Sequence, residues 1–136
     1  MATKIKAIIE KGEDGLFSAY SDFELNDYTF AGFGDSATKA KEDFLASIRE
    51  AIEMLEQDGI ASYDEADFIV EWKYDIPSLF GCFEYLNISK FAMEAGVNPS
   101  QMRKYARGLA YPSEKTVEKI AKTISDISSE LSMVRV

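Results

Sequence analysis

The chain is 136 residues long, which allows one medium domain or two small ones, and 46% of it is apolar, as in globular proteins. It has no histidine and one cysteine, so the commonest general base and metal ligand is missing and an internal disulfide framework is excluded. We expect no enzyme and no metal or cofactor site. We also expect a cytoplasmic protein, because no stretch is apolar enough to cross a membrane and residues 1–4 lead into no signal core.

The charge is divided unevenly along the chain, whose formal net charge is −9. Residues 1–82 hold 7 Lys and Arg against 18 Asp and Glu, whereas residues 83–136 hold 8 against 6. This asymmetry predicts an acidic module joined to a locally basic one. An acidic module suits a basic protein partner, and a basic helix suits nucleic-acid phosphates.

The first module begins with a pattern typical of strands. Lys4 to Lys11 alternates apolar and polar residues, Gly12 to Gly15 is a turn, and residues 16–21 begin a second strand, so the pair predicts a hairpin. Residues 23–27, FELND, are predicted to be a loop. Tyr28 to Phe33 is rich in aromatic and β-branched residues and predicts a third strand.

A helix and a fourth strand complete this module. Residues 34–36 should end the third strand and cap a helix from Ala37 to about Asp58, in which apolar residues recur at steps of three and four. Residues 67–75, DFIVEWKYD, alternate again and predict the fourth strand. We therefore predict an α+β fold, with a β-β-β-α-β domain at residues 1–76 and an all-α domain at residues 77–136.

The second domain contains two short helices joined by a tight turn. Ile76, Pro77 and Ser78 should separate the domains, and residues 79–86, LFGCFEYL, should form a short buried helix. Asn87 is a good N-cap for the next helix, and Gly96 can end it in the left-handed conformation. Asn98 and Pro99 are typical of the start of the following helix, and Gly108 of its end.

This pattern is typical of a DNA-binding helix-turn-helix, in which the second helix enters the major groove. Met102 and Tyr105 should face inward, which leaves the cationic and polar side chains outside. The alternative is any three-helix scaffold with a tight turn, but no acid interrupts the outward face of the second helix. Side chains near its start suit base edges, and those at element ends suit phosphates. The candidate DNA-binding residues are Lys90, Asn98, Ser100, Gln101, Arg103, Lys104 and Arg107.

A last helix should begin after its N-cap Ser113. Its apolar residues step by three and four in a heptad-like seam, comprising Val117, Ile120, Ile124, Ile127, Leu131 and Val134. The seam is longer than a small domain needs for its own core. Two interpretations stay open: the helix lies back across its domain, or it forms a dimer interface.

Residues 32–37, GFGDSA, formally match a dinucleotide-binding fingerprint that follows a strand and opens a helix. Asp35 would place a negative charge where the pyrophosphate binds, and a hairpin precedes the strand in place of a parallel βαβ unit. The glycines are better explained by a tight turn into the helix. Aromatic residues in the early strands are interpreted as core or protein interface, because phosphate would approach an acidic module at a cost.

The whole chain resembles the HicB-like antitoxins of type II toxin–antitoxin systems. The resemblance is carried by residues 5–23, IKAIIEKGEDGLFSAYSDF, by residues 28–59, which begin YTFAGFGDSATKAKEDF, and by residues 96–108 and 111–124, GVNPSQMRKYARG and YPSEKTVEKIAKTI. It implies a partial ribonuclease-H-like first domain that lacks the catalytic acids. It also implies that this domain blocks a small HicA-like mRNA interferase, while the second domain represses the operon promoter as a dimer.

Our hypothesis is therefore a non-enzymatic antitoxin and autorepressor with three kinds of partner. These are double-stranded operator DNA, a small basic toxin protein, and a second copy of the chain in a homodimer or higher even oligomer. No membrane partner is expected. The alternatives are a free-standing helix-turn-helix regulator whose first domain binds an effector or another protein, and a pure protein-interaction module.

Overall fold

A computed structural model describes residues 2–136 of the chain. The fold is α+β, with one four-stranded mixed sheet and five α-helices over these residues. The chain divides into two compact units, the first ending at Asp75 and the second spanning residues 76–136, so the boundary lies one residue before the predicted one. No helix among the described residues has the length and apolar character that a membrane span requires.

The first unit contains the sheet and one long helix. Its strands are β1 (Thr3–Lys11), β2 (Phe17–Leu25), β3 (Tyr28–Gly34) and β4 (Phe68–Tyr74), arranged in the order β3-β2-β1-β4. The β1–β2 and β2–β3 pairs are antiparallel, and β4 is parallel to β1. Helix α1 (Ala37–Gln57) connects β3 to the 3₁₀ turn before β4. Because β3 and β4 run in the same direction in the sheet, the chain needs a long crossover of this kind between them.

The predicted loop at residues 23–27 is wrong, because β2 continues to Leu25. Only Asn26 and Asp27 form the turn, and both have positive φ, at 49° and 72°. Asn and Asp tolerate this conformation better than other side chains, and a two-residue turn of this kind matches the twist of a hairpin. The acids Asp22 and Glu24 are exposed in the strand, while Leu25 is buried. The exposed positions of this strand are therefore polar, and they give the segment the composition of a loop.

One face of the sheet packs on α1 to form the core of this unit. Ile5, Ala7 and Ile9 of β1 are fully buried against it, together with the predicted stripe of α1. Phe44 of α1 lies at the centre, with its ring edge-to-face on Phe30 at 6.3 Å and on Trp72 at 5.5 Å. Such aromatic pairs stabilise the fold by more than the burial of their apolar area alone.

The opposite face of the sheet carries a mixture of charged and apolar side chains. Lys4 and Glu71 form an ion pair across β1 and β4 at 3.4 Å, and the Tyr20 hydroxyl donates to Glu10 at 2.8 Å. The hydrogen bond to the Glu10 carboxylate favours the neutral phenol and so raises the pKa of Tyr20. Phe33 is exposed on this face.

Gly32 determines how closely α1 approaches the sheet. A Cβ at this position would collide with the backbone nitrogen of Phe44 and the carbonyl oxygen of Ala40, and would lie 2.8 Å from the Phe44 Cα. Helix α1 consequently packs most closely on β3. Gly32, the first glycine of the GFGDSA segment, thus allows the helix to pack closely on the strand and is not part of the turn. The turn is centred on Asp35 and the N-cap Ser36.

The second unit is built from four helices. These are α2 (Ile76–Cys82), α3 (Ile88–Ala95), α4 (Pro99–Ala106) and α5 (Glu114–Ser132). Helix α4 packs on α2 and α3, and α5 packs on α3. The buried side chains at their centre are Leu79, Phe80, Phe91, Ala92, Met102, Tyr105 and Ile120.

The start of this unit differs from the prediction in two ways. Ile76, Pro77 and Ser78 were predicted to be a separating segment, yet they form the first turn of α2, where the missing N–H of proline costs nothing. The predicted buried helix at residues 79–86 is also wrong beyond Cys82, because the chain leaves the helix there and Tyr85 is 81% exposed.

The substitution Gly32→Ala is expected to lower the free energy of unfolding by about 1–3 kcal/mol, because the new methyl group meets α1 backbone that cannot rotate away. Urea unfolding followed by circular dichroism measures the change. The control is Gly81→Ala in α2, where a Cβ has no neighbour within 4 Å. This variant should not be destabilised, because alanine favours a helix over glycine by about 0.5–1 kcal/mol. Equal stability of Gly32→Ala and the native chain would contradict the assigned role of Gly32.

Candidate nucleic-acid interface

Helix α3 and the turn after it are fixed by local hydrogen bonds, as their sequence predicts. The Asn87 side chain accepts from the Lys90 amide at 2.9 Å and caps the helix. Gly96 ends it with φ at 72°, in the left-handed region where a side chain would be strained. The Val97 amide then donates to the Ala92 carbonyl at 2.9 Å, which closes the turn.

Helix α4 starts directly after this turn. The Asn98 side chain accepts from the Gln101 amide at 3.2 Å, and Pro99 occupies the first helical position. At the other end, Gly108 has φ at 72°, and the Leu109 amide donates to the Lys104 carbonyl at 2.9 Å. Both ends of α4 are therefore fixed by the residues that the sequence singles out.

The inward face of α4 determines which side chains point to solvent. Met102 is fully buried and Tyr105 nearly so, and they anchor α4 against the rest of the unit. Ser100, Arg103, Lys104 and Arg107 lie on the exposed side, and Gln101 is half-buried. The predicted orientation of α4 is confirmed for all of these except Gln101, which is only partly accessible.

The exposed cations of α3 and α4 are not neutralised. Among the described residues, Lys90, Lys104 and Arg107 have no ion pair with an acid, and between residues 87 and 112 the only acid is Glu94. Arg103 is positioned by a hydrogen bond from its Nη1 to the Ser89 Oγ of α3, at 2.7 Å. This bond links α4 to α3 and places the Arg103 guanidinium at residue 89, next to Lys90 in the chain.

Two side chains of this surface differ from the sequence-based expectation. The oxygen of Asn98 is used as the N-cap acceptor of α4, so its side chain serves the helix and only its amide nitrogen is left to donate outward. Tyr111 was not among the predicted residues, yet it is 90% exposed in the loop after α4. Its neighbour Pro112, which cannot continue a helix, was the available signal that residues 109–112 lie in an open loop.

The seam of α5 is mostly unburied in this chain. Ile120 is buried and Ile127 half-buried, but Ile124 is 39% and Leu131 63% exposed. Val134 lies beyond the helix, which ends at Ser132, so the predicted seam is one position too long. The C-terminal half of α5 borders an open groove of about 510 Å³ with an apolar lining, formed by Leu79, Phe83, Tyr85, Leu86, Phe91, Ile124, Ile127 and Leu131.

The first unit has a smaller groove of about 140 Å³ between α1 and β4. Leu45, Ile48, Phe68 and Val70 line it, and an Arg49–Glu65 ion pair of 3.6 Å lies beside them. Within residues 2–136, no three His, Cys, Asp or Glu side chains are grouped so as to hold a metal ion. Comparison of the chain with models of known protein families, with curated proteins and with solved structures finds no match.

Proposed function

We propose that this chain is a non-enzymatic antitoxin and autorepressor. In this proposal α4 binds double-stranded operator DNA, and the first unit binds and neutralises a small basic HicA-like mRNA interferase. The observation that carries the DNA-binding half is the exposed, unneutralised cationic face of α4, fixed by a helix, a left-handed Gly96 turn and a second helix. The first unit carries 18 acids against 7 bases, so its composition does not suit binding to phosphates.

The arrangement of α3 and α4 supports major-groove binding. A helix-turn-helix places the first residues of its second helix at base edges, while the preceding helix contacts the backbone. Ser100, Arg103 and Lys104 are exposed on α4 and suit base edges, whereas Lys90 and Arg107 lie at element ends and suit phosphates. The Ser89–Arg103 hydrogen bond reduces the freedom of one reading side chain before binding, which lowers the entropy cost of ordering it.

The antitoxin half of the proposal is supported by strand order and charge. A sheet of order β3-β2-β1-β4, with β4 parallel to β1 and α1 as the crossover, agrees with the partial ribonuclease-H-like domain that the resemblance implies. The excess of acids suits capture of a basic RNA-cleaving protein by electrostatic steering.

A regulator whose first unit binds a small effector is less well supported. Binding sites for small molecules usually enclose about 300–1,000 Å³. The groove between α1 and β4 holds about 140 Å³, and the space between the sheet and α1 is filled by Phe30, Phe44 and Trp72. A protein partner therefore suits the first unit better than a small molecule.

We further infer that the second copy of the chain packs on the α5 seam. Exposed apolar surface of this extent beside a groove marks an interface. On one side of the exposed part of the seam the flanking residues are small and uncharged, namely Ala121, Ser125 and Ser128, so two copies of α5 can approach closely there, while Glu130 lies on the other side. The seam and the groove form one apolar surface, because Ile124, Ile127 and Leu131 also line the groove, and a two-fold dimer would bury the same surface of each copy.

Replacing Arg103, Lys104 and Arg107 together by alanine is expected to abolish binding to the DNA upstream of the coding sequence. Lys104→Ala alone should cost about 1–3 kcal/mol if Lys104 reads a base. Each lost phosphate contact should also reduce the slope of log K against log salt by about 0.9. Fluorescence anisotropy with a labelled duplex measures both. The matched control replaces Lys115, Lys119 and Lys122 of α5 by alanine, which changes the charge equally, and a similar loss there would contradict the assignment of α4.

The variant Leu131→Glu is expected to raise the dimer dissociation constant at least tenfold, roughly 1.4 kcal/mol or more, because it places a charge in the apolar seam. Leu131 is exposed in the single chain, so the variant should still fold. Sedimentation velocity over a concentration series measures the association. Met93→Glu, at another exposed apolar position of the same unit, should remain dimeric. A native chain that stays monomeric, or a dimeric Leu131→Glu, would contradict the α5 interface.

The antitoxin function is tested by co-expressing the tagged full chain with any small basic protein encoded beside it. The expected result is co-purification of the two proteins and relief of growth arrest caused by the second protein. The triple alanine variant of α4 should protect equally well, because toxin capture is assigned to the first unit. If the tagged chain neither captures nor neutralises its neighbour while the native chain still binds DNA, the protein is a regulator without a toxin.

A further inference from the structure

The two edges of the sheet are not equivalent. At the β3 edge, the Phe33 amide donates to the Asp43 carboxylate of α1 at 2.9 Å, so this chain itself occupies an outward backbone donor. β4 forms the other edge, and within residues 2–136 the strand that pairs with it is β1. It runs for seven residues without a proline or a register shift. An edge strand that neither a proline nor a bulge interrupts is a template for a further strand.

The inward face of β4 is only partly covered. Residues of β1 on this face are fully buried, whereas Phe68, Val70, Trp72 and Tyr74 of β4 are all half-buried. The close contacts at Gly32 and Gly34 hold α1 against β3, and the 140 Å³ groove lies between α1 and β4. A strand added at this edge would place alternate side chains over the groove and over Phe68 and Val70.

The charge around the start of β4 indicates the chemistry of the occupant. Asp64, Glu65 and Asp67 precede the strand within four residues and Glu71 lies in it, all of them exposed. Arg49 neutralises only Glu65, and Lys4 pairs with Glu71. A segment that carries lysine or arginine is attracted here, whereas a second copy of this acidic unit is repelled.

We propose that the outer edge of β4 is a docking strand for an extended basic segment of a partner protein. The segment pairs with the β4 backbone, inserts apolar side chains into the groove lined by Leu45, Ile48, Phe68 and Val70, and directs its cations to the acids at residues 64–67. That this partner is the toxin rests on the proposed function. The docking surface itself rests on the sheet edge, the groove and the charge.

The test uses the full chain and a set of synthetic ten-residue peptides. In these peptides valine, isoleucine or phenylalanine alternates with lysine, and a control set has glutamate in place of lysine. Trp72 is the only tryptophan of the chain and lies on β4, so its fluorescence reports binding at this edge. Members of the lysine set are expected to bind at least tenfold more tightly than their glutamate counterparts. If no lysine peptide binds, or if the glutamate set binds equally well, the proposal is overturned.

Backbone pairing is tested by methylating alternate amide nitrogens of the best peptide in either of the two frames. A strand pairs through one edge, so one frame is expected to lose binding and the other to retain it. Equal loss or equal retention of binding in the two frames overturns the proposal, because a peptide bound only through its side chains would not distinguish the two methylation frames.

The groove is tested by Leu45→Lys, which should weaken peptide binding at least tenfold. The matched control is Met54→Lys, which makes the same change at another exposed position of α1 outside the groove. Equal weakening by both variants overturns the proposal. So does a native dimer that Leu45→Lys dissociates, since a second copy would then occupy the edge. Peptide binding without capture of a neighbouring toxin would reject the proposed toxin and retain the docking strand.

Discussion

The contact between Gly32 and α1 is the constraint on which the first unit depends. Because Gly32 has no side chain, the backbone of Ala40 and Phe44 lies against β3, and Phe44 reaches Phe30 and Trp72. The same contact draws the helix away from β4 and leaves that strand half covered. The missing side chain of Gly32, together with that of Gly34 near the start of α1, thus affects both how the core is filled and which strand of the sheet is left half covered.

The sequence predicts well those features that residues close together in the chain determine. The stripe of α1, the caps at Ser36, Asn87 and Asn98, and the left-handed Gly96 are all found where predicted, because each depends on neighbours within one or two turns. The exposed cations of α4 follow from the same local pattern. The segment FELND has the polar composition of a loop, but the turn takes only Asn26 and Asp27, so β2 continues to Leu25.

Features that depend on distant residues could not be predicted in this way. Strand order, and hence the exposed edge of β4, arises from pairing between residues about 65 positions apart, such as Ile5 with Val70. The hydrogen bond from Arg103 to Ser89 joins two helices, and the spacing of residues along α4 contains no sign of it. The spacing of apolar residues predicts the α5 seam, but only the fold shows that Ile120 is buried in the core of its own unit while Ile124 and Leu131 are exposed.

The division of charge between the units gives a physical reason for joining them in one chain. In the proposed function, the net charge of −9 would oppose the approach of DNA to α4, although salt would screen this repulsion beyond a Debye length of about 8 Å at physiological ionic strength. A basic segment docked at β4 would neutralise acids of the first unit and so reduce the repulsion. In the proposed function, capture of a basic partner would then strengthen DNA binding without any contact between the partner and the operator, most strongly at low salt.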